Sequence, residues 1–346
     1  MSALGRFGMA LFLISVLAGC GGGDGAVPGS ELKIVAAAPS GDGAPIDRLV
    51  TFGASLSDTG NSFVLLSEPA NQSCGARLNV PPYDKLDDLL LPDGPYAKGG
   101  HHFSNGAVWV EGLARYLALA GNARPALRND GREASNYAAG GARAVPFPCR
   151  FNLPDQVAAY LASFPQTSPQ TLVALEIGGN DVRDALVAAA SGQDPAPYVQ
   201  GALASLADSI ATLYARGARR FLLLNVPDPA RAPSVRLLDQ QVPGAAAAAS
   251  QLSQLFNAGL AGVVQEANGL GGVDARVVDV HGLLEEIMAS PETYGFTNTT
   301  DACVTPDVPP FQCAQPDAYV FWDGVHPTHA VHALIAQRAI AVMSPP

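Results

Sequence analysis

Basic residues are scarce: 20 Lys and Arg face 31 Asp and Glu, a formal net charge of −11. Phosphate recognition needs clustered Lys and Arg, and no such cluster occurs, so nucleic acid is excluded as a partner. Cysteine is sparser still, with five residues and no Cys-x-x-Cys spacing, which speaks against a zinc site. No internal repeat is present, which excludes solenoids and propellers. The apolar run Met9–Leu17 is too short to cross a bilayer.

What is present begins at the amino terminus. "MSALGRFGMALFLISVLAGC" has a basic start at Arg6, an apolar centre and small residues before Cys20, the pattern of a signal peptide. "LAGC" resembles a bacterial lipobox, in which cleavage leaves Cys20 to carry lipid. The expected organisation is a signal peptide over 1–19, a lipid-anchored flexible tether over 20–46 and one folded domain over 47–346. The tether, rich in Gly, Ala, Pro and Ser, has no period with which to bury a core. A protein so built leaves the cytoplasm, as an outer-membrane or cell-surface lipoprotein or else in periplasmic or secreted form. It meets the membrane through its lipidated N-terminus. Its oligomeric state is unspecified by sequence.

In an oxidising compartment the remaining Cys74, Cys149, Cys303 and Cys313 read as two disulfides, for which three connectivities exist. The Pro-rich "CVTPDVPPFQC" favours Cys303–Cys313, leaving Cys74–Cys149.

Apolar runs ending in small residues, "RLVTFG", "TLVALEIGG", "RRFLLLNVPD" and "ARVVDVHG", read as buried parallel strands. "ASNYAAGGA" reads as a weaker one. Helical spacing separates them at 107–121, in "LPDQVAAYLASF", at 198–216 and at 245–267, with a final helix from Pro327 to about Met343. The alternation predicts an α/β domain with a central parallel sheet covered on both faces. Ligands of such sheets bind at the carboxyl ends of the strands.

The first strand breaks at Gly53 and puts Ser55 at such an end. A serine nucleophile needs a base and a group to orient that base. His101 and His102 sit in a Gly-rich loop, His281 follows a strand as a structural loop residue, and His329 and His332 fall in the final helix. His326 precedes Pro327, which holds it extended before the helix. Asp323 lies three residues earlier, close enough to accept from Nδ1 of His326. "HPTHAVH" also invites a metal reading, but three histidines spaced by three diverge around a helix. Backbone N–H groups of Ser55 and Gly140, with the Asn180 amide, supply three donors for an oxyanion.

In order, "FGASLSDTGN", "NYAAGGA", "IGGND" and "DGVHPT" resemble the four sequence blocks of the GDSL or SGNH hydrolases, lipase and esterase branch, over essentially the whole folded region. The resemblance implies a three-layer, flavodoxin-like α/β/α fold. It further implies Ser55, Asp323 and His326 as catalytic triad, Ser55, Gly140 and Asn180 as oxyanion hole, and an ester or lipid substrate, with no metal or cofactor. Ala54 departs from the block, where the family has an Asp that supports the nucleophile loop.

Three alternatives bear on function. The α/β-hydrolase elbow requires Gly-x-Ser-x-Gly, whereas Ser57 stands at its last position here. Acyl transfer to another hydroxyl uses the same residues as hydrolysis. A non-enzymatic binding lipoprotein has Ala54 as its one support. Loops around 74–102 and 295–317 are expected to border the pocket, with Tyr96, Phe103, Phe296 and Phe311 as substrate contacts.

Overall fold

A computed structural model describes residues 45–67, 102–128, 133–304 and 312–343. The expected signal peptide and lipidation site at Cys20 lie outside these residues, as do Cys74, Tyr96, His101 and Phe311.

Four strands, β1 (Arg48–Gly53), β2 (Thr171–Glu176), β3 (Arg220–Leu224) and β4 (Asp274–Val278), form a parallel sheet in that order. Successive side chains point to opposite faces. Val50, Phe52, Val173, Leu175, Phe221 and Leu223 join one core, and Leu49, Leu172, Ala174, Leu222 and Leu224 join the other. Burial on both faces is why these strands are apolar without alternation.

The first core is covered by α3 (Leu153–Ser163), α4 (Gly179–Ala190), α5 (Ala196–Ala215) and α7 (Ala245–Asn268). The second is covered by α2 (Trp109–Tyr116), α8 (Val280–Ala289) and α9 (His329–Met343). Two further helices, α1 (Asn61–Ser67) and α6 (Pro233–Gln241), follow β1 and β3 in the chain. The predicted α/β sandwich with helices on both sides is therefore present.

"ASNYAAGGA" forms two isolated bridges at Asn136, to Thr51 and to Pro125, instead of a full strand. Three backbone bonds still tie it to β1: Thr51 N–H to Ser135 O, Tyr137 N–H to Thr51 O and Ala139 N–H to Gly53 O. On the side away from β1, Ala126 N–H donates to Asn136 O at 2.8 Å, and Asn61 Nδ2 donates to Asn136 O and Ala138 O, both at 2.8 Å, so side-chain bonds extend the Pro125 bridge. Counting this segment beside β1 gives the flavodoxin-like order, whose switch point falls between β1 and β2.

The loop 323–326 is tied to α6 by Ser234, whose N–H and Oγ both donate to Gly324 O. A short parallel pair, β5 (Asn298–Ala302) and β6 (Tyr319–Phe321), leads into it, and the Cys303–Cys313 disulfide closes the adjoining loop. Cys149 is also disulfide-bonded. His281 corrects its expectation: it lies in the first turn of α8, because Asp279 caps that helix and ends the strand earlier. The final helix begins two residues after Pro327, at His329.

Candidate active site

Ser55, His326 and Asp323 converge at the carboxyl edge of β1 although 271 residues separate the serine from the histidine. Asp323 Oδ1 accepts the N–H groups of Val325 and His326, each at 2.7 Å, and Oδ2 lies 2.7 Å from His326 Nδ1. An acceptor there fixes the imidazole proton on Nδ1. The lone pair of Nε2 then accepts from Ser55 Oγ at 2.8 Å. Trp322 N–H donates to His326 O, closing the turn, and the Phe103 ring packs 5.1 Å from the imidazole. Asp323 and His326 are buried, so little water competes for these bonds.

The histidines of "HPTHAVH" separate as expected. His329 Nδ1 lies 2.8 Å from Ala107 O, and His332 Nδ1 accepts from Trp109 N–H at 3.3 Å. Burial holds the His332 imidazole well below its ordinary pKa, so it is neutral.

The oxyanion donors require one correction. Gly140 N–H is shared between Asp58 Oδ2 at 2.8 Å and Ser62 Oγ at 2.6 Å, and is not open to the cavity. Asp58 also accepts from the N–H groups of Gly60, Asn61 and Ser62, so its carboxyl clamps the start of α1 to this loop. The following amide, Gly141 N–H, has no acceptor among the described residues, and neither has Ser55 N–H. Around Gly141 the loop is fixed on every side. Arg143 Nη1 donates to Gly141 O at 2.6 Å, Asn180 Nδ2 donates to Ala142 O at 2.9 Å, and Asp181 accepts Ala144 N–H at 3.1 Å. Arg143 in turn forks onto Asp184 at 2.8 and 3.0 Å. The bond to Ala142 uses one Asn180 N–H and leaves the other for a ligand. Gly178 makes this placement possible. Its φ is +117°, and a Cβ there would meet the Phe256 ring at 2.2 Å.

Asp181 is pushed up to about 6, first by burial and then by Asp184, against the Ala144 bond and Arg143. Its proton is therefore held more tightly in the folded state than in the unfolded one. A penalty for ionisation accrues as pH rises from about 4 to about 6 and is complete above that. Asp181→Asn removes it, and we expect the variant to gain up to about 3 kcal/mol relative to wild type between pH 4 and pH 7. Thermal melts at both pH values measure this; an unchanged difference contradicts it.

The site opens into a cavity of 1090 Å3 along the carboxyl edge of the sheet. Leu224, Val226, Val235, Leu238 and Leu284 make one wall apolar, and Arg150 and Arg183 lie in the lining elsewhere. Phe103 lines it as expected, whereas Phe296 packs into the core. Among the described residues no cluster of His, Cys, Asp or Glu could hold a metal ion, and no helix is long and apolar enough to cross a membrane.

The model of the GDSL-like lipase/acylhydrolases matches residues 49–339. The chain belongs to this family. Within its relatives, a thermolabile hemolysin of Vibrio parahaemolyticus is 26% identical over 85% of this chain, which spans 63% of the hemolysin's length. A GDSL esterase/lipase of Arabidopsis thaliana is 24% identical over 85% of both chains. A phosphatidylcholine-sterol acyltransferase of Aeromonas hydrophila is 26% identical over 84% of this chain and 88% of its own. This GDSL chain carries Ala54 between Gly53 and Ser55, and Glu176, unnoticed in the apolar run "TLVALEIGG", lies beside it. A lone acid within a buried strand is the signal that marks it.

Proposed function

We propose that this protein is an exported serine ester hydrolase that cleaves carboxylic or lipid esters through an acyl-enzyme. The observation that carries the reading is the continuous bond path from Asp323 through His326 to Ser55 Oγ, opening on an apolar cavity. The amino-terminal pattern supports export with Cys20 as the lipid-bearing residue.

In this mechanism Nε2 takes the Ser55 proton as Oγ attacks the ester carbonyl carbon, and Asp323 stabilises the imidazolium. Ser55 N–H, Gly141 N–H and Asn180 Nδ2 bind the oxyanion. The intermediate expels the alcohol, which takes the proton from Nε2. Water then attacks the acyl-enzyme by the same route, releasing acid and restoring Ser55. An acceptor alcohol in place of water gives acyl transfer, the reading favoured by the Aeromonas relative's name.

Hydrolysis of p-nitrophenyl esters from acetate to palmitate, with and without an added alcohol, tests the reading by product. Free acid as main product supports hydrolysis, whereas acylated alcohol supports transfer. Asn180→Ala should lower kcat on the order of 10²–10³-fold with KM little changed. A loss confined to KM would remove Asn180 from the oxyanion hole.

A further inference from the structure

The catalytic path leaves one buried acid unused. Glu176 ends β2 opposite Gly53, and its side chain turns into the space beside Ala54 at the cavity wall. Glu176 Oε2 accepts from Ala54 N–H at 3.2 Å and from Ser57 Oγ at 3.2 Å, on either side of the nucleophile. Ser57 Oγ itself accepts from Trp109 Nε1 at 2.9 Å, and Ser57 O accepts from Asn136 Nδ2 at 2.7 Å. The backbone Glu176 O also accepts Ala54 N–H, at 3.0 Å. The segment that aims Ser55 is thus pinned at both ends by one residue of the neighbouring strand.

We infer that Glu176 is a positioning residue that supplies, from β2, the carboxyl support for the nucleophile loop that Ala54 does not provide, and that it acts in its neutral form. The inference rests on Ser55 being the nucleophile. A protonated carboxyl keeps one acceptor oxygen for Ala54 N–H and Ser57 Oγ. An ionised one would put a negative charge beside the Ser55 N–H that meets the oxyanion, opposing the charge that develops there. Burial fits the neutral form, raising Glu176 to about 8 against the Ala54 and Ser57 bonds, which lower it. The groups facing it are uncharged donors: Ala54 N–H and Ser57 from the loop after β1, with the Trp109 indole of α2 behind Ser57. The other charged and titratable groups that share the cavity are His326, Asp155, Asp184 and Asp228, with Arg143, Arg150 and Arg183.

The test compares full-length wild type, Ser55→Ala, Glu176→Gln and Glu176→Ala on one p-nitrophenyl ester from pH 6 to pH 9.5. Glutamine reproduces the neutral acid, so its kcat at pH 7 should stay within about 3-fold of wild type. Above pH 8 wild type should decline as Glu176 ionises, whereas Glu176→Gln should hold its rate. Glu176→Ala should lose about 10- to 100-fold in kcat with KM little changed, the scale for a misaimed reacting group. Coincident alkaline limbs in wild type and Glu176→Gln overturn the inference even where Glu176→Ala does not fold. So does a folded Glu176→Ala with unaltered kcat. Full activity in Ser55→Ala overturns the nucleophile assignment itself, an outcome distinct from neutral Glu176 variants beside a dead Ser55→Ala.

Discussion

Ser55→Ala is expected to lower kcat on p-nitrophenyl esters on the order of 10⁴–10⁶-fold and to leave the melting temperature nearly unchanged. The stability expectation follows from the bonds around the serine. Its hydroxyl donates only to His326 Nε2, while the loop is held by Ala54 N–H, Ser57 and Asn136. Removing Oγ therefore deletes the attacking atom without freeing the segment that carried it. The remaining donors still polarise a bound ester, which leaves a small residual rate. Substrate should bind as before, because the cavity wall of Leu224, Val235, Leu238 and Leu284 is untouched. A variant within 10-fold of wild type in purified protein would require another nucleophile.

Asp323→Asn should be nearly as damaging, about 10⁴-fold in kcat, for a different reason. The side-chain oxygen of asparagine can still accept from the Val325 and His326 amides, so the turn survives. Its NH2 group then faces Nδ1 and donates where the carboxylate accepted. The imidazole proton moves to Nε2, and Nε2 can no longer take the proton from Ser55. Unchanged KM with lost kcat is the signature of this tautomer effect. Loss of cooperative melting would assign Asp323 to the fold instead.

Which parts of this site were readable in advance follows from range. Asp323 and His326 are three residues apart before a proline, so their pairing is local and the spacing dictates it. Ser55 and Asn180 mark the ends of adjacent buried strands, and parallel pairing brings such ends together. The choice between Gly140 and Gly141 was not readable, since both amides belong to one turn and Asp58, 82 residues away, decides which is consumed. Glu176 was hidden for a related reason. Its role depends on the register of β2 against β1, which places it opposite Gly53 and next to Ala54. "ASNYAAGGA" was read as a strand, but pairing stops at the two bridges of Asn136, and the Asn61 amide bonds the carbonyls of Asn136 and Ala138.

The most direct measurement of the central claim is intact mass of the protein quenched in acid milliseconds after mixing with a p-nitrophenyl ester. We predict a population heavier by one acyl group, mapped by peptide digestion to Ser55 and absent from Ser55→Ala. Turnover with no adduct on Ser55, or an adduct that persists in Ser55→Ala, would contradict the account.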